Sequence, residues 1–474
     1  MADRLFHALA DYGKTQPQKT ALVIEDKKIT YGQLWECVTA PMDAGCDTDG
    51  VSMKGTVCFI KTENIETQLI SWLNAIYNQS RPLLCHADLS EVRTAQLCKK
   101  YALDDVAEQE HIIPEKASFG VLTSGTTGLP KVLWRNLSTW SDFFDEQNRV
   151  FLTDKESVLF VHGSMSFTGN LNSVLSTLYA GGTAIIARYM SPRRWVELLR
   201  LHQVTHIYLL PTKLRMLLPV LHETLPDLQV IFTGSQLLDY KLVLGLKKLQ
   251  PHTTCILYYG ASELNYITYC TFEEWLREPD TVGYAFKGVA VSLDRDNRIV
   301  VDTPYGIEGI SRPFTVGDLG AFTESGRLLF RGRNDAIINR GGYKLSLPYL
   351  ESQLLCVPGI ADVVVLGVKD DLRGEQPVAF IVPDEKIRIK ETNEENSSNF
   401  FVEDEHIVDE SDINSLKCEI YAEAKEAVIR AVHERLQAKE CPKHFFWLRK
   451  LPLTGASKVN RAVLTAFYLS QVKK

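Results

Sequence analysis

No CxxC pair occurs in this 474-residue chain, and its ten cysteines are scattered. That excludes a disulfide framework read from spacing and leaves individually placed, reduced thiols, as expected in the cytoplasm. Its eleven histidines form no metal-ligand spacing, which argues against zinc. No run approaches the ~18 apolar residues of a membrane-spanning helix. The opening, MADRLFHALADYGK, carries Asp3 and Asp11 and lacks the apolar centre of a signal peptide. Positive charge is also short: the formal balance is −7, and no basic stretch is interleaved with aromatics. Nucleic acid is therefore not an expected partner.

What is present describes an ordinary folded protein, 45% hydrophobic and 23% charged, too long for one core and hence of two or more domains. From Ala21 onward, short apolar strands alternate with helices. Ala21–Glu36 reads as strand, turn, strand and helix, with Thr30 as cap and Gln33 as its reciprocal partner. Gly55–Lys61, Ile65–Tyr77 and Pro82–Cys85 read as strand, helix and strand, and Ser191–Gln203 as a helix opened by Pro192. The rhythm predicts an α/β fold with a large N-terminal domain of mostly parallel sheets flanked by helices. Polar turns around Ser124, Gly234 and Gly260 are expected at the carboxyl ends of one such sheet, where ligands bind. Near Gly332 the texture shifts to short strands and charged turns, predicting a smaller α+β C-terminal domain. Its boundary is placed at Asp335, giving units 1–334 and 335–474. Within the latter, Glu391–Asp412 holds nine acidic residues and no lysine or arginine, the composition of a solvated loop.

The densest chemistry lies in FGVLTSGTTGLPKVLW. Phe119–Leu122 reads as a buried strand. Beyond it come Thr123, Ser124, Gly125, Thr126, Thr127, Gly128 and Lys131. The glycines let backbone N–H groups face one concavity, the hydroxyls add donors, and the lysine adds a cation. That set suits a polyphosphate. Its spacing is not that of the Walker P-loop, so a kinase or GTPase of that kind is not implied. A polar surface loop accounts for any three of these residues but poorly for the whole run behind a strand.

Four further motifs follow in order: YYGASE (258–263), VGDLG (316–320), FRGRNDAI (330–337) and LPLTGASKVNR (451–461). With TSGTTGLPK they resemble the adenylate-forming superfamily, the AMP-binding acyl- and aryl-CoA synthetases and peptide-synthetase adenylation domains, from about Leu5 to Arg461. In its brevity the chain is similar to short-format bacterial acyl-CoA ligases. The resemblance implies two half-reactions. A carboxylate attacks ATP to give an acyl-adenylate and pyrophosphate, and a thiol then displaces AMP. It implies ATP, Mg2+ and CoA, or the phosphopantetheine of a separate acyl- or peptidyl-carrier protein. It also assigns roles. The loop from Thr123 to Lys131 holds the β- and γ-phosphates, with Thr126 and Lys131 counted among the catalytic groups. Glu263 holds magnesium, Ser262 offers its hydroxyl to the α-phosphate, and Tyr259 and Gly260 lie at adenine. Asp318 accepts the ribose hydroxyls, with Arg333 nearby. Asp335 is the hinge of a mobile small domain. Lys458 reaches the α-phosphate and the substrate carboxylate from the loop 451–461. Gly342, beside Gly341 and Lys344, makes room for a pantetheine arm. Taken singly, each motif reads equally as a turn, a core tyrosine or a surface lysine. The chain departs from the pattern at Ser457, where a glycine is usual.

The acid is expected between Gly163–Leu175, the turn at Gly234 and the strand ending at Tyr259. Phe167 stands where many acyl activators have a histidine, while His162 lies five residues earlier. Thr168 stands where amino-acid activators carry an aspartate, so an α-amino acid lacks its counter-charge. An uncharged aliphatic or aromatic acid is expected. A catalytically reduced nucleotide- or acyl-binding sensor or scaffold is the reading from another class, opposed by the joint presence of Glu263, Asp318, Arg333 and Lys458.

Overall fold

The computed structural model describes residues 3–41, 50–54, 56–103, 109, 112–123, 130–236, 238–333, 336–341, 343–370, 374–388, 417–453 and 459–472. Local chemistry accounts for many of its elements. Thr30 caps the helix Tyr31–Thr39 by accepting from Gln33 N, while the Gln33 side chain accepts from Thr30 N, a reciprocal box that satisfies two orphan donors. Pro192 opens the helix Pro192–Leu201, where its missing N–H has no helical partner to lose. The helix Ile65–Tyr77 turns Ile65, Leu69, Trp72 and Leu73 inward at intervals of three and four.

A large N-terminal α/β domain results. Among the described residues its larger sheet has eleven strands. The centre is parallel, with Thr20–Ile24, Thr183–Ala187, Val158–His162, His206–Tyr208, Val230–Gly234 and Thr254–Ala261 side by side in that order. Antiparallel strands extend both margins: Lys27–Thr30 at one, and Asn265–Thr271, Thr281–Ala285, Leu328–Arg333 and Asp318–Phe322 at the other. The second sheet orders Val51–Lys54, Val57–Ile60, Arg81–Leu84, Phe119–Thr123 and Lys131–Arg135, again parallel within and antiparallel at its edges. Short connections join some of the antiparallel pairs, such as Thr20–Ile24 with Lys27–Thr30, whereas helical crossovers permit the parallel centres.

One expectation is corrected here. The turns at Gly234 and Gly260 end neighbouring parallel strands, but the strand before Ser124 pairs with Arg81–Leu84 in the other sheet. The three turns therefore follow strands of two different sheets.

The smaller C-terminal domain is built on the hairpin Ile360–Asp370 and Gly374–Pro383. Alternation along its strands sends Val363, Val365, Ala379 and Ile381 to one core with Val428 and Val432. Val364, Leu366, Val378 and Phe380 go to another with Leu464 and Phe467. Arg215 joins the domains, 3.0 Å from Asp239 on its own side and 3.4 Å from Asp362 on the other. Lys241 and Asp384 pair across the same boundary at 2.8 Å. Asp335 and the acidic stretch Glu391–Asp412 lie outside the described residues.

Candidate active site

Strand Thr254–Ala261 divides the site, because successive side chains point to opposite faces. Tyr259 points toward the hairpin formed by Asp318–Phe322 and Leu328–Arg333. Its hydroxyl donates to Asp318 Oδ2 at 2.7 Å, and its ring packs on Phe330. Asp318 and Arg333 are cross-strand partners, which brings Arg333 Nε within 3.2 Å of Asp318 Oδ1. The carboxylate is 2% exposed, so these two contacts fix its orientation in a dry setting. Burial, and then the Asp318 charge, push the Tyr259 phenol well above its usual range, so it stays a donor.

Beyond Gly260, whose missing side chain leaves room for the Asn265 carbonyl, the chain turns through Ser262 and Glu263. Arg135, from the second sheet, holds this turn. Its Nη2 donates to Ser262 O at 2.8 Å, and its Nη1 donates to Tyr305 O at 3.0 Å and Thr139 Oγ1 at 2.9 Å. The guanidinium is fully buried. Burial pulls its pKa down to about 9, opposed by the charge of Glu263, and it remains a cation at neutral pH. The same strand begins at Lys131, which is exposed and pairs with Thr123 across the hairpin. Thr123 and Lys131 thus flank the opening from which the loop departs. Ser124, Gly125, Thr126, Thr127 and Gly128 of that loop lie outside the described residues, as do Gly342 and Lys458.

On the other side of Thr254–Ala261 lies the expected acid wall. Phe167 caps, and Thr168 begins, the helix Thr168–Tyr179. The Phe167 ring stacks on His86, with centroids 5.4 Å apart, and His86 Nδ1 lies 2.8 Å from Ser166 Oγ. The histidine beside Phe167 therefore comes from the segment that follows the strand Arg81–Leu84 of the second sheet. His162 is buried against Trp195 instead. Lys213 is also buried here, its Nζ donating to His162 O at 3.0 Å.

Residues 56–310, more than half of the chain, match the family model of the AMP-binding enzymes, and residues 349–415 match that of their C-terminal domain. The chain belongs to the AMP-binding enzyme family. With that membership stands its assignment as an adenylate-forming ligase. It is 25% identical over 413 residues to an uncharacterized acyl-CoA ligase of Bacillus subtilis, covering 80% of this chain and 82% of the relative. To a putative long chain fatty acid-CoA ligase of Staphylococcus haemolyticus it is 24% identical over 497 residues, covering 97% and 96%. In fold it is similar to the o-succinylbenzoate CoA synthetase of Bacillus subtilis, with TM-score 0.74 and 18% identity over 96% of this chain and 97% of that one. ATP-bound MatB of Rhodopseudomonas palustris gives TM-score 0.73 and 19% identity over 99% of each chain.

For this member of the AMP-binding enzymes, sequence reasoning gathered Tyr259, Asp318, Arg333, Ser262 and Glu263 but missed Arg135, His86 and Lys213. A charged residue ending the strand KVLWR, directly after three apolar residues, was the available signal for Arg135. Among the described residues, no helix is long and apolar enough to cross a membrane.

Proposed function

We propose that the protein activates a carboxylic acid with ATP, giving an acyl-adenylate and pyrophosphate. It then passes the acyl group to the thiol of CoA with release of AMP. The observation that carries this reading is the buried Asp318 carboxylate, tied to Tyr259 and Arg333 beside the Ser262–Glu263 turn that Arg135 holds. A carboxylate has about four acceptor sites, which suits the Asp318 side chain to a ribose cis-diol.

Mg2+ is held by one or two carboxylates plus phosphate oxygens, and Glu263 would supply one such carboxylate. Bound there, the ion offsets charge on the phosphates. Thr123, Lys131 and the intervening loop face the β- and γ-phosphates, with Thr126 and Lys131 stabilising charge there. Ser262 meets the α-phosphate. Lys458 favours charge developing between carboxylate and α-phosphorus. Domains 1–334 and 335–474 turn about Asp335, and Gly342 then admits the pantetheine arm.

ATP–pyrophosphate exchange over aliphatic, aryl and amino acids tests the first step. Exchange driven by one acid class is the expected result, and none with any acid, despite ATP binding, removes the reading. Amino acids are expected to fail, because Thr168 provides no counter-charge. Lys458→Ala should lower exchange by about 10²–10³-fold while ATP still binds, and unchanged exchange would take Lys458 out of the mechanism. Supplying CoA beside candidate holo-carrier proteins tests the second step. Thioester appearing only on a carrier would replace CoA by a carrier protein as acceptor.

A further inference from the structure

Two glycines of the acid wall are each backed by a tyrosine. A Cβ at Gly169 would overlap the Tyr208 hydroxyl, and one at Gly234 would come within 2.6 Å of the Tyr258 ring. The two tyrosines join hydroxyl to hydroxyl at 2.8 Å, and both are buried. Their side chains fill the space directly behind the two glycines. Asn172 follows Gly169 by three residues and Thr168 by four, so it shares their helix face. It is 3% exposed, and among the described residues neither its amide oxygen nor its nitrogen has a hydrogen-bond partner. Burying an amide unpaired is costly, and a ligand that supplies the missing bond recovers that cost.

From this geometry we infer that the Tyr208–Tyr258 pair and Asn172 form the floor of a short acid pocket, selecting a compact carboxylic acid that carries an uncharged hydrogen-bonding group such as a hydroxyl or amide at its far end. This rests on the adenylation reading above and names the substrate class of the same site. Tyr208 and Tyr258 set the length limit by volume. Asn172 sets the polar preference, because its amide both donates and accepts.

Exchange is measured with acetate, butyrate, octanoate and 3-hydroxybutyrate, and with benzoate and 4-hydroxybenzoate. The parent should reject octanoate and prefer the hydroxylated member of at least one pair by about tenfold or more in kcat/KM. Asn172→Leu should erase that preference, bringing the kcat/KM ratio of each pair to within about twofold. Tyr258→Ala should admit octanoate, and Tyr258→Phe, which keeps the ring, should not. Parent exchange with octanoate equal to butyrate overturns the short floor and leaves adenylation intact. A hydroxyl preference that survives Asn172→Leu, with the fold shown intact by thermal unfolding, assigns the unpaired amide to a buried water and overturns its role. Should the variants fail to fold, the parent's own ranking of octanoate and the hydroxylated acids decides. Exchange with no acid removes the adenylation reading and this inference together.

Discussion

Two buried cations, Arg135 and Lys213, are held differently. Arg135, on the nucleotide side, donates to three oxygens and has the Glu263 charge nearby. Lys213 donates to the single carbonyl of His162, and among the described residues it forms no ion pair. Burial lowers both, Arg135 to about 9 and Lys213 to about 7. The guanidinium spreads its charge over a planar fork that matches several acceptors, whereas an ammonium is a compact charge that loses more when desolvated. The nucleotide half is thus built around a retained charge, as a site facing a polyanion needs. Lys213, by contrast, is a lysine whose burial brings its pKa down to about 7.

Removing the better-held cation should have the largest effect. Arg135→Met leaves Ser262 O, Tyr305 O and Thr139 Oγ1 without their donor, each orphan costing ~1–3 kcal/mol. A loss of about 3 kcal/mol in urea denaturation is expected, together with a fall in exchange as the Ser262–Glu263 turn loosens. A loss below about 1 kcal/mol with full exchange would break the contrast, since Arg135 would then be no better anchored than a surface charge.

Lys213→Met sharpens the comparison through pH. The folded-state pKa of about 7 lies below the ordinary 10.5, so between these values the unfolded chain binds more protons and stability rises with pH. The burial penalty is complete below pH 7 and absent above about pH 10.5. It changes by ~1.4 kcal/mol per pH unit in between. Relative to the parent, Lys213→Met should therefore be more stable by about 2–4 kcal/mol at pH 7, after losing one hydrogen bond, and the advantage should shrink steadily by pH 10. Parallel stability curves for the two proteins over that range would show that Lys213 keeps its ordinary pKa.

The contrast also explains what could be read from sequence. The nucleotide half comes from contiguous motifs. Tyr259, Ser262 and Glu263 lie within six residues, and Asp318 meets Arg333 across one hairpin. Short-range chemistry makes such segments recognisable before their placement is known. The acid half comes from pairs brought together by sheet order. Phe167 meets His86, which follows a strand of the other sheet, and Tyr208 meets Tyr258 across the strand Val230–Gly234 that lies between theirs. Strand pairing at such separation leaves no local signature, which is also why three turns expected on one sheet are divided between two. For Arg135 the sequence marked only a charged strand end, since two of its acceptors, Ser262 O and Tyr305 O, lie more than a hundred residues away. The strand–helix rhythm, the Thr30 box and the Pro192 helix start were legible because each depends on residues within a few positions of one another.

Tyr259→Phe makes the smallest change and asks what its hydroxyl does for Asp318. The ring contact with Phe330 is retained, and Asp318 keeps Arg333 while losing the 2.7 Å donor. A hydrogen bond to a charged group is worth ~1.5–3 kcal/mol, so a carboxylate less firmly aimed should raise the KM for ATP about tenfold. If the bond orients Asp318 equally in ground and transition states, kcat should stay near the parent value. Because burial keeps the phenol protonated, the effect should be the same at every working pH. A lower KM would reverse the argument: Tyr259 would then compete with the ribose for the same carboxylate oxygen, and the nucleotide half would hold its carboxylate in a closed, resting arrangement that ATP must open.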